Sequence, residues 1–95
     1  MAVKLSIIIP AYNEADNLHK GKLEQVDDYL KKQSYTYEVL IVDDGSSDET
    51  AALISEQIKD KKGFHLIKNT HGGKAITVMT GMLAAQGEIV LFTDF

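Results

Sequence analysis

Apolar residues gather into four short runs along this chain: Leu5 to Pro10 (LSIIIP), Tyr37 to Asp44 (YEVLIVDD), Phe64 to Lys68 (FHLIK) and Ile89 to Asp94 (IVLFTD). The first, second and fourth are rich in Ile, Val and Leu without strict polar alternation, which predicts strands buried on both faces, as in a parallel sheet. Between the runs the period changes. Leu23, Val26 and Leu30 (with Tyr29 beside them), then Ala51, Ile54 and Ile58, then Ala75, Ile76, Met79 and Leu83 recur at helical spacing. They predict three helices, each turning an apolar stripe to the core. Met79 and Met82 read as packing residues of the last helix. Ser46 to Glu49 fits a capping box, with Ser46 as N-cap and Glu49 reaching back. Gly87 stands where a glycine would end the third helix. Gly21 interrupts the first helical pattern, so that helix starts late or follows a separate turn.

The order β-α-β-α-β-α-β implies right-handed crossovers and an α/β fold: a three-layer α/β/α, Rossmann-like arrangement around a mostly parallel sheet. Such sheets hold ligands at the carboxyl ends of their strands. That rule selects Pro10 to Glu14, Asp43 to Ser46, Asn69 to Lys74, and Asp94, which places the residues with chemical potential on one rim.

Composition narrows the possibilities. Ninety-five residues make one small domain, 44% apolar and 25% charged, with a single proline. Net charge is −4 and all ten basic residues are lysines, with no dense basic stripe, so a nucleic-acid partner is not expected. The chain has no cysteine, which excludes disulfides and thiolate metal sites. No run is long enough to span a bilayer, and Met1 to Pro10 lacks the pattern of a signal peptide. A soluble, cytoplasmic chain is expected.

Each rim feature has a chemical and a structural reading. Adjacent Asp43 and Asp44 point to opposite faces of a strand, so at most one need face a shared ligand. A carboxylate there suits a nucleobase N–H, a ribose hydroxyl or a hydrated cation. A turn or cap before Gly45 explains either equally well. In PAYNE, Pro10 closes a strand, Tyr12 offers a flat face, and Asn13 or Glu14 caps a helix or bonds a ligand. NTHGGKA brings a glycine pair to a helix start, where backbone N–H groups and Lys74 suit a diphosphate, although the spacing is not that of a Walker A loop. His71 reads as a loop histidine, and no spacing makes a metal triad of His19, His65 and His71.

IIIPAYNEADNL, YEVLIVDDGSSDET and GGKAITVMTGMLAAQGEIVLFTDF, in this order and spacing, resemble the start of family 2 glycosyltransferases of the GT-A fold, most of all the dolichyl- or polyprenyl-phosphate sugar synthases. The resemblance covers Leu5 to Phe95. It implies that Pro10, Ala11, Tyr12 and Glu14 line a base and ribose pocket, that Asp43 and Asp44 lie under the base, and that Gly73 and Lys74 lie near the base or diphosphate. It makes Asp94 the first carboxylate of an Asp-x-Asp motif that binds the ribose and, through Mg2+ or Mn2+, the diphosphate. The implied donor is a UDP- or GDP-linked sugar. The implied reaction transfers a hexose, with inversion, to an acceptor such as a polyprenyl phosphate, at the cytoplasmic face of a membrane.

On this resemblance residues 1–95 are expected to be the donor-binding half of a GT-A domain, cut inside the Asp-x-Asp motif. As such the chain would be inactive without the rest, lack a general base, and self-associate through a bare sheet edge. Two other readings compete. One is a nucleotide-binding module without catalysis. The other is a receiver-like phosphoacceptor domain, against which the acidic pair stands after the second strand rather than the first.

Overall fold

The computed structural model describes residues 2–95, and Met1 lies outside them. In chain order the elements are β1 (Leu5–Ala11), α1 (Ala15–His19), α2 (Lys22–Lys31), β2 (Tyr37–Asp43), α3 (Thr50–Ile58), β3 (Phe64–Lys68), α4 (Lys74–Ala84) and β4 (Ile89–Phe92). All four expected strands form. The first helical segment is split at Gly21, whose φ of 78° no helix accepts, so a five-residue α1 precedes α2.

Every strand pair is parallel, in the order β3-β2-β1-β4. From β1 to β3 the chain steps one way, so right-handed crossovers put α1, α2 and α3 on one face. From β3 to β4 it steps back across the sheet, which puts α4 on the other. This is the dinucleotide-fold order, with its switch point between β1 and β4. A receiver-like domain would place β1 between β2 and β3. The phosphoacceptor reading therefore fails on topology.

Alternate strand residues serve the two faces. Leu5, Ile9 and Ala11 of β1 and Val39 and Ile41 of β2 join Leu18, Leu23, Leu30 and Ile54 in the main core. Ile8, Leu40 and Val42 are buried on the other side. Pro10 does not end the ladder as expected, because β1 continues through Ala11, paired with Asp43. Ile8 gives its carbonyl to Thr93 on the β4 side, while Ala11 gives its own to Asp44 on the β2 side. Pro10 shares the parity of Ile8, and β4 has already ended at that level. Its missing N–H therefore costs no bond.

Three further expectations are corrected. The stripe of Ile76, Met79 and Leu83, with Met82, faces outward: Met79 is 60% and Leu83 84% exposed. The buried positions of α4 are Thr77 and Gly81, one turn apart. Gly81 lies so close to β1 that a Cβ there would meet Ile8 Cγ2 at 2.5 Å, so small residues take the sheet-facing side. β4 lies at the edge of the sheet with Ile89, Leu91 and Phe92 about half exposed, which is the bare edge expected above and not a strand buried on both faces. The capping box is absent, since α3 begins at Thr50 with Glu49 as N-cap and no side-chain cap bond.

Gly87 has a different task from ending α4, which stops at Ala84. It approaches β1 beside a buried carboxylate. Glu38 Oε2 accepts from Ser6 Oγ at 2.6 Å and from the Gln86 amide at 2.7 Å, while the Gly87 amide donates to Ser6 Oγ at 2.8 Å. No helix among the described residues is long and apolar enough to cross a membrane.

Gly87→Ala would set a Cβ 2.7 Å from the Ser6 nitrogen and 2.9 Å from the Leu5 carbonyl carbon, both backbone. A loss of about 1–3 kcal/mol is expected. Gly21→Ala meets no atom within 4 Å and carries only its left-handed φ, a cost of about 1–2 kcal/mol. Urea unfolding should rank Gly87→Ala as the more damaging; the reverse order would mean that the turn relaxes freely.

Candidate functional site

The parity of β2 divides the acidic pair. Asp43, the last residue of β2, points to the α1–α3 face and accepts from the Ser46 hydroxyl and, at 3.3 Å, the Ser46 amide. Asp44 points to the α4 face. Its carboxylate accepts the Gly72 amide at 2.9 Å and the Gly73 amide at 3.1 Å, and only 4% of the residue is exposed. Two glycine amides at the start of α4 thus meet a buried carboxylate. Burial, the largest influence, pushes the Asp44 carboxyl up; the Gly72 amide, the Thr77 hydroxyl, the Gly73 amide and the charge of His71 together outweigh it and hold the group below its usual range.

The β1–α1 loop is set by Asn13, which sits at φ 53°. Its Oδ1 accepts the Ser47 amide at 2.9 Å, its Nδ2 donates to Ser47 Oγ at 3.2 Å, and its own amide donates to Ser46 Oγ at 3.0 Å. Asn13 therefore fastens its loop to the loop after β2 rather than capping α1 or facing a ligand. Glu14 adds an amide bond to Thr50 Oγ1 at 2.8 Å and accepts Asn17 Nδ2 at 2.9 Å. Asp48 secures the other side, accepting the Thr50 amide at 2.9 Å. The bonded Thr50 hydroxyl, the largest influence, holds the Asp48 carboxyl below its usual range.

These loops enclose a cavity of about 350 Å³ at the carboxyl ends of β1 and β2. Of the nine residues expected at the site, Pro10, Ala11, Tyr12, Glu14, Asp44, Gly73, Lys74 and Asp94 line it. Asp43 does not; it holds the loop that shapes it. His71 and Thr77 complete the lining. The His71 ring lies 4.5 Å from the Tyr12 ring, tilted by 32°, and its Nδ1 is 3.0 Å from Asp44 Oδ2. Loop sequence alone gave no signal for this, because the contact spans twenty-seven positions of chain.

Lys74 Nζ lies 3.0 Å from Asp94 Oδ1 and 3.3 Å from Oδ2, an exposed pair that contributes little stability. The amides of the first turn of α4 have no intrahelical acceptor, which suits an anion beside Lys74. Mg2+ and Mn2+ take hard oxygen donors, and Mg2+ keeps several waters while using one or two carboxylates and substrate phosphates. Asp94, an exposed carboxylate opening on the cavity, fits that donor set. Among the described residues a second acidic group, Glu24, Asp27 and Asp28, has carboxylate oxygens within 4.8 Å of one another. It lies on α2, and its charges are already met by Lys31 and Lys61.

The family model "Glycosyl transferase family 2" matches residues 6–94. A dolichyl-phosphate beta-glucosyltransferase of Trichomonas vaginalis is 37% identical over 97% of this chain and 30% of its own. An undecaprenyl-phosphate 4-deoxy-4-formamido-L-arabinose transferase of Proteus mirabilis is 36% identical over 96% of this chain and 28% of its own. Among solved structures, a mannosyltransferase of Pyrobaculum calidifontis in complex with GDP-Man and Mn2+ superposes with a TM-score of 0.77 at 32% identity, over 99% of this chain and 28% of that one. TarS of S. aureus in complex with UDP-GlcNAc gives 0.79 at 31% identity, over 97% and 26%. The chain thus spans about 30% of the length of the curated relatives it matches.

Asp44 supplies a pH test. Its carboxyl is lower in the folded chain than in the unfolded one, so its contribution to stability is complete above the unfolded value, about 3.9, and is lost as pH falls through the folded value. Asp44→Asn is expected to cost about 1.5–3 kcal/mol at pH 7. The gap from the unaltered chain should narrow below about pH 4. An equal gap at pH 7 and pH 3 would show that the negative charge is not what anchors the Gly72–Gly73 loop.

Proposed function

The chain belongs to glycosyl transferase family 2, and we propose that its rim cavity is the nucleotide part of a donor site for a nucleoside diphosphate sugar. One observation carries this reading: the cavity brings a buried acceptor carboxylate, Asp44, together with the start of α4, Lys74 and the exposed carboxylate of Asp94. Each matches one portion of such a donor. Tyr12 offers a ring face to the base, and ionised Asp44 accepts a base N–H. The first turn of α4 and Lys74 meet the diphosphate charge. Asp94 would hold a divalent cation, which supplies charge neutralisation for the departing diphosphate.

The donor is a uridine or guanosine diphosphate hexose. Structural neighbours holding GDP-Man and UDP-GlcNAc support both nucleotides, and a neighbour holding Mn2+ supports the cation. The acceptor is a polyprenyl phosphate, supported by the dolichyl- and undecaprenyl-phosphate transferases among the relatives. In the whole enzyme its phosphate oxygen forms a bond to the anomeric carbon as the bond to the diphosphate breaks, and the electron pair leaves with the diphosphate. Attack from the opposite face inverts the centre. A phosphate monoester is already anionic at pH 7, so no residue need remove a proton. An acceptor of this kind places the reaction at a membrane surface.

Calorimetric titration of the chain with UDP and with GDP, with and without Mn2+, tests the reading. At least one nucleotide should bind, more tightly with the metal, and amide resonances of Tyr12, Asp44 and Lys74 should shift. Asp94→Asn should weaken the metal-dependent binding about tenfold or more while leaving metal-free binding nearly unchanged. Absence of any nucleotide-induced shift at those three amides would sink the assignment.

A further inference from the structure

We propose that Glu38 is a positioning residue for Asp94, holding the strand that carries it in register from the far end of the sheet. The inference rests on the donor-site reading, in which Asp94 holds the cation, and adds a residue that touches neither cation nor nucleotide. Glu38 and Ser6 stand opposite each other in the β1–β2 register, and both are buried. From β2 the Glu38 carboxylate reaches past β1 to the connection between α4 and β4. Its Oε2 accepts from the Ser6 hydroxyl and the Gln86 amide, and Ser6 Oγ accepts from the Gly87 amide. One buried carboxylate thus ties together β2, β1 and the residues that lead into β4.

β4 has little else to fix its register. It is four residues long and pairs with β1 alone. Its sequence, IVLF, is apolar throughout, and Ile89, Leu91 and Phe92 are about half exposed. A strand whose two faces are alike in polarity and burial gains little by choosing one register over the next. At the rim, Asp94 has its exposed pair with Lys74, which holds it weakly. α4 differs, because Asp44 anchors its start through Gly72 and Gly73.

A one-residue slip of β4 would move Asp94 about 3.3 Å along the strand and turn its side chain to the opposite face. A metal ligand must be placed to within about 0.5 Å. The clasp opposes the slip in two ways. Gly87 sits where a Cβ would meet the Ser6 nitrogen at 2.7 Å, so neither Gln86 nor Glu88 can take its place without a clash. Slipping would also carry the Gln86 amide away from Glu38 and leave a buried carboxylate short of a donor. From Gly87 to Asp94 an extended chain covers about 23 Å. Glu38 therefore acts on the site through the strand and not by contact.

The test compares UDP and GDP binding, with and without Mn2+, on the unaltered chain, Glu38→Ala, Glu38→Gln and Ser6→Ala. Cross-strand nuclear Overhauser contacts between β1 and β4, measured without metal, give a second readout. In the unaltered chain Mn2+ should tighten nucleotide binding, and Ser6–Val90 and Ile8–Phe92 contacts should be present. Glu38→Ala should cut the Mn2+ enhancement about tenfold, as loss of a supporting contact does at metal sites. Those strand contacts should weaken with it, while metal-free binding changes little. Glu38→Gln should restore both readouts, since its amide oxygen can stand where Oε2 does. Should Glu38→Ala fail to fold, Ser6→Ala takes its place: it leaves the Gly87 amide without its acceptor and should move both readouts the same way by a smaller factor. An unchanged Mn2+ enhancement, or equal weakening with and without the metal, overturns the inference while the donor site stands. If the unaltered chain binds nucleotide with no gain from Mn2+, the cation role of Asp94 falls and this role with it. If it binds neither nucleotide, the donor site itself falls and takes the inference along.

Discussion

A carboxylate removed from water must be met by donors, and Asp44 is met by the amides of Gly72 and Gly73 and by His71. The rest of the rim depends on this arrangement. It decides where the β3–α4 loop lies, and therefore where α4 starts and Lys74 stands. It also explains why both glycines precede the helix: a tight loop without intervening side chains presents two successive amides to one acceptor. The carboxylate is placed in turn by strand register, since Ala11 opposes Asp43 and the Asp44 amide donates to the Ala11 carbonyl at 2.8 Å. A slip of one residue would exchange the two aspartates between faces.

The two faces of the sheet accordingly have separate duties at the rim. On the α1–α3 side, Asp43, Ser46, Asn13 and Thr50 form a polar lattice that ties the first two βα loops together. On the α4 side the groups open to the cavity. Asn13 is strained into a left-handed conformation, which costs about 1–3 kcal/mol and is offset by its bonds to Ser46 and Ser47. The site is thus a hydrogen-bonded frame that carries one exposed ion pair, Lys74 and Asp94, whose ammonium and carboxylate are weakly held by each other.

Where sequence reading failed, the cause lies in contacts between segments distant along the chain. Helical spacing located α4, but its apolar stripe is the exposed one: the sheet-facing side holds Thr77 and Gly81, and Gly81 approaches Ile8 too closely for a larger side chain. Gly87 looked like a helix terminator and instead makes room for the backbone of β1. Ser46 had the spacing of an N-cap, but Asp43 and Asn13 claim its hydroxyl and leave Asp48 to serve Thr50. His71 had no local pattern at all, since its partners Tyr12 and Asp44 belong to other loops.

By itself the sequence determined the βα alternation, the parallel sheet and the rim on which the polar residues meet, because apolar period and turn residues are local properties that the backbone obeys directly. It also determined that at most one member of an adjacent Asp pair need face a shared ligand, a consequence of strand geometry. Tertiary structure decided which one lines the cavity. It chose Asp44 through the register of β1 on β2, set α4 on its small residues, and drew His71 against Tyr12. Each of these is a distance between atoms far apart in the chain, and such distances are settled by packing and by the need to satisfy a buried charge.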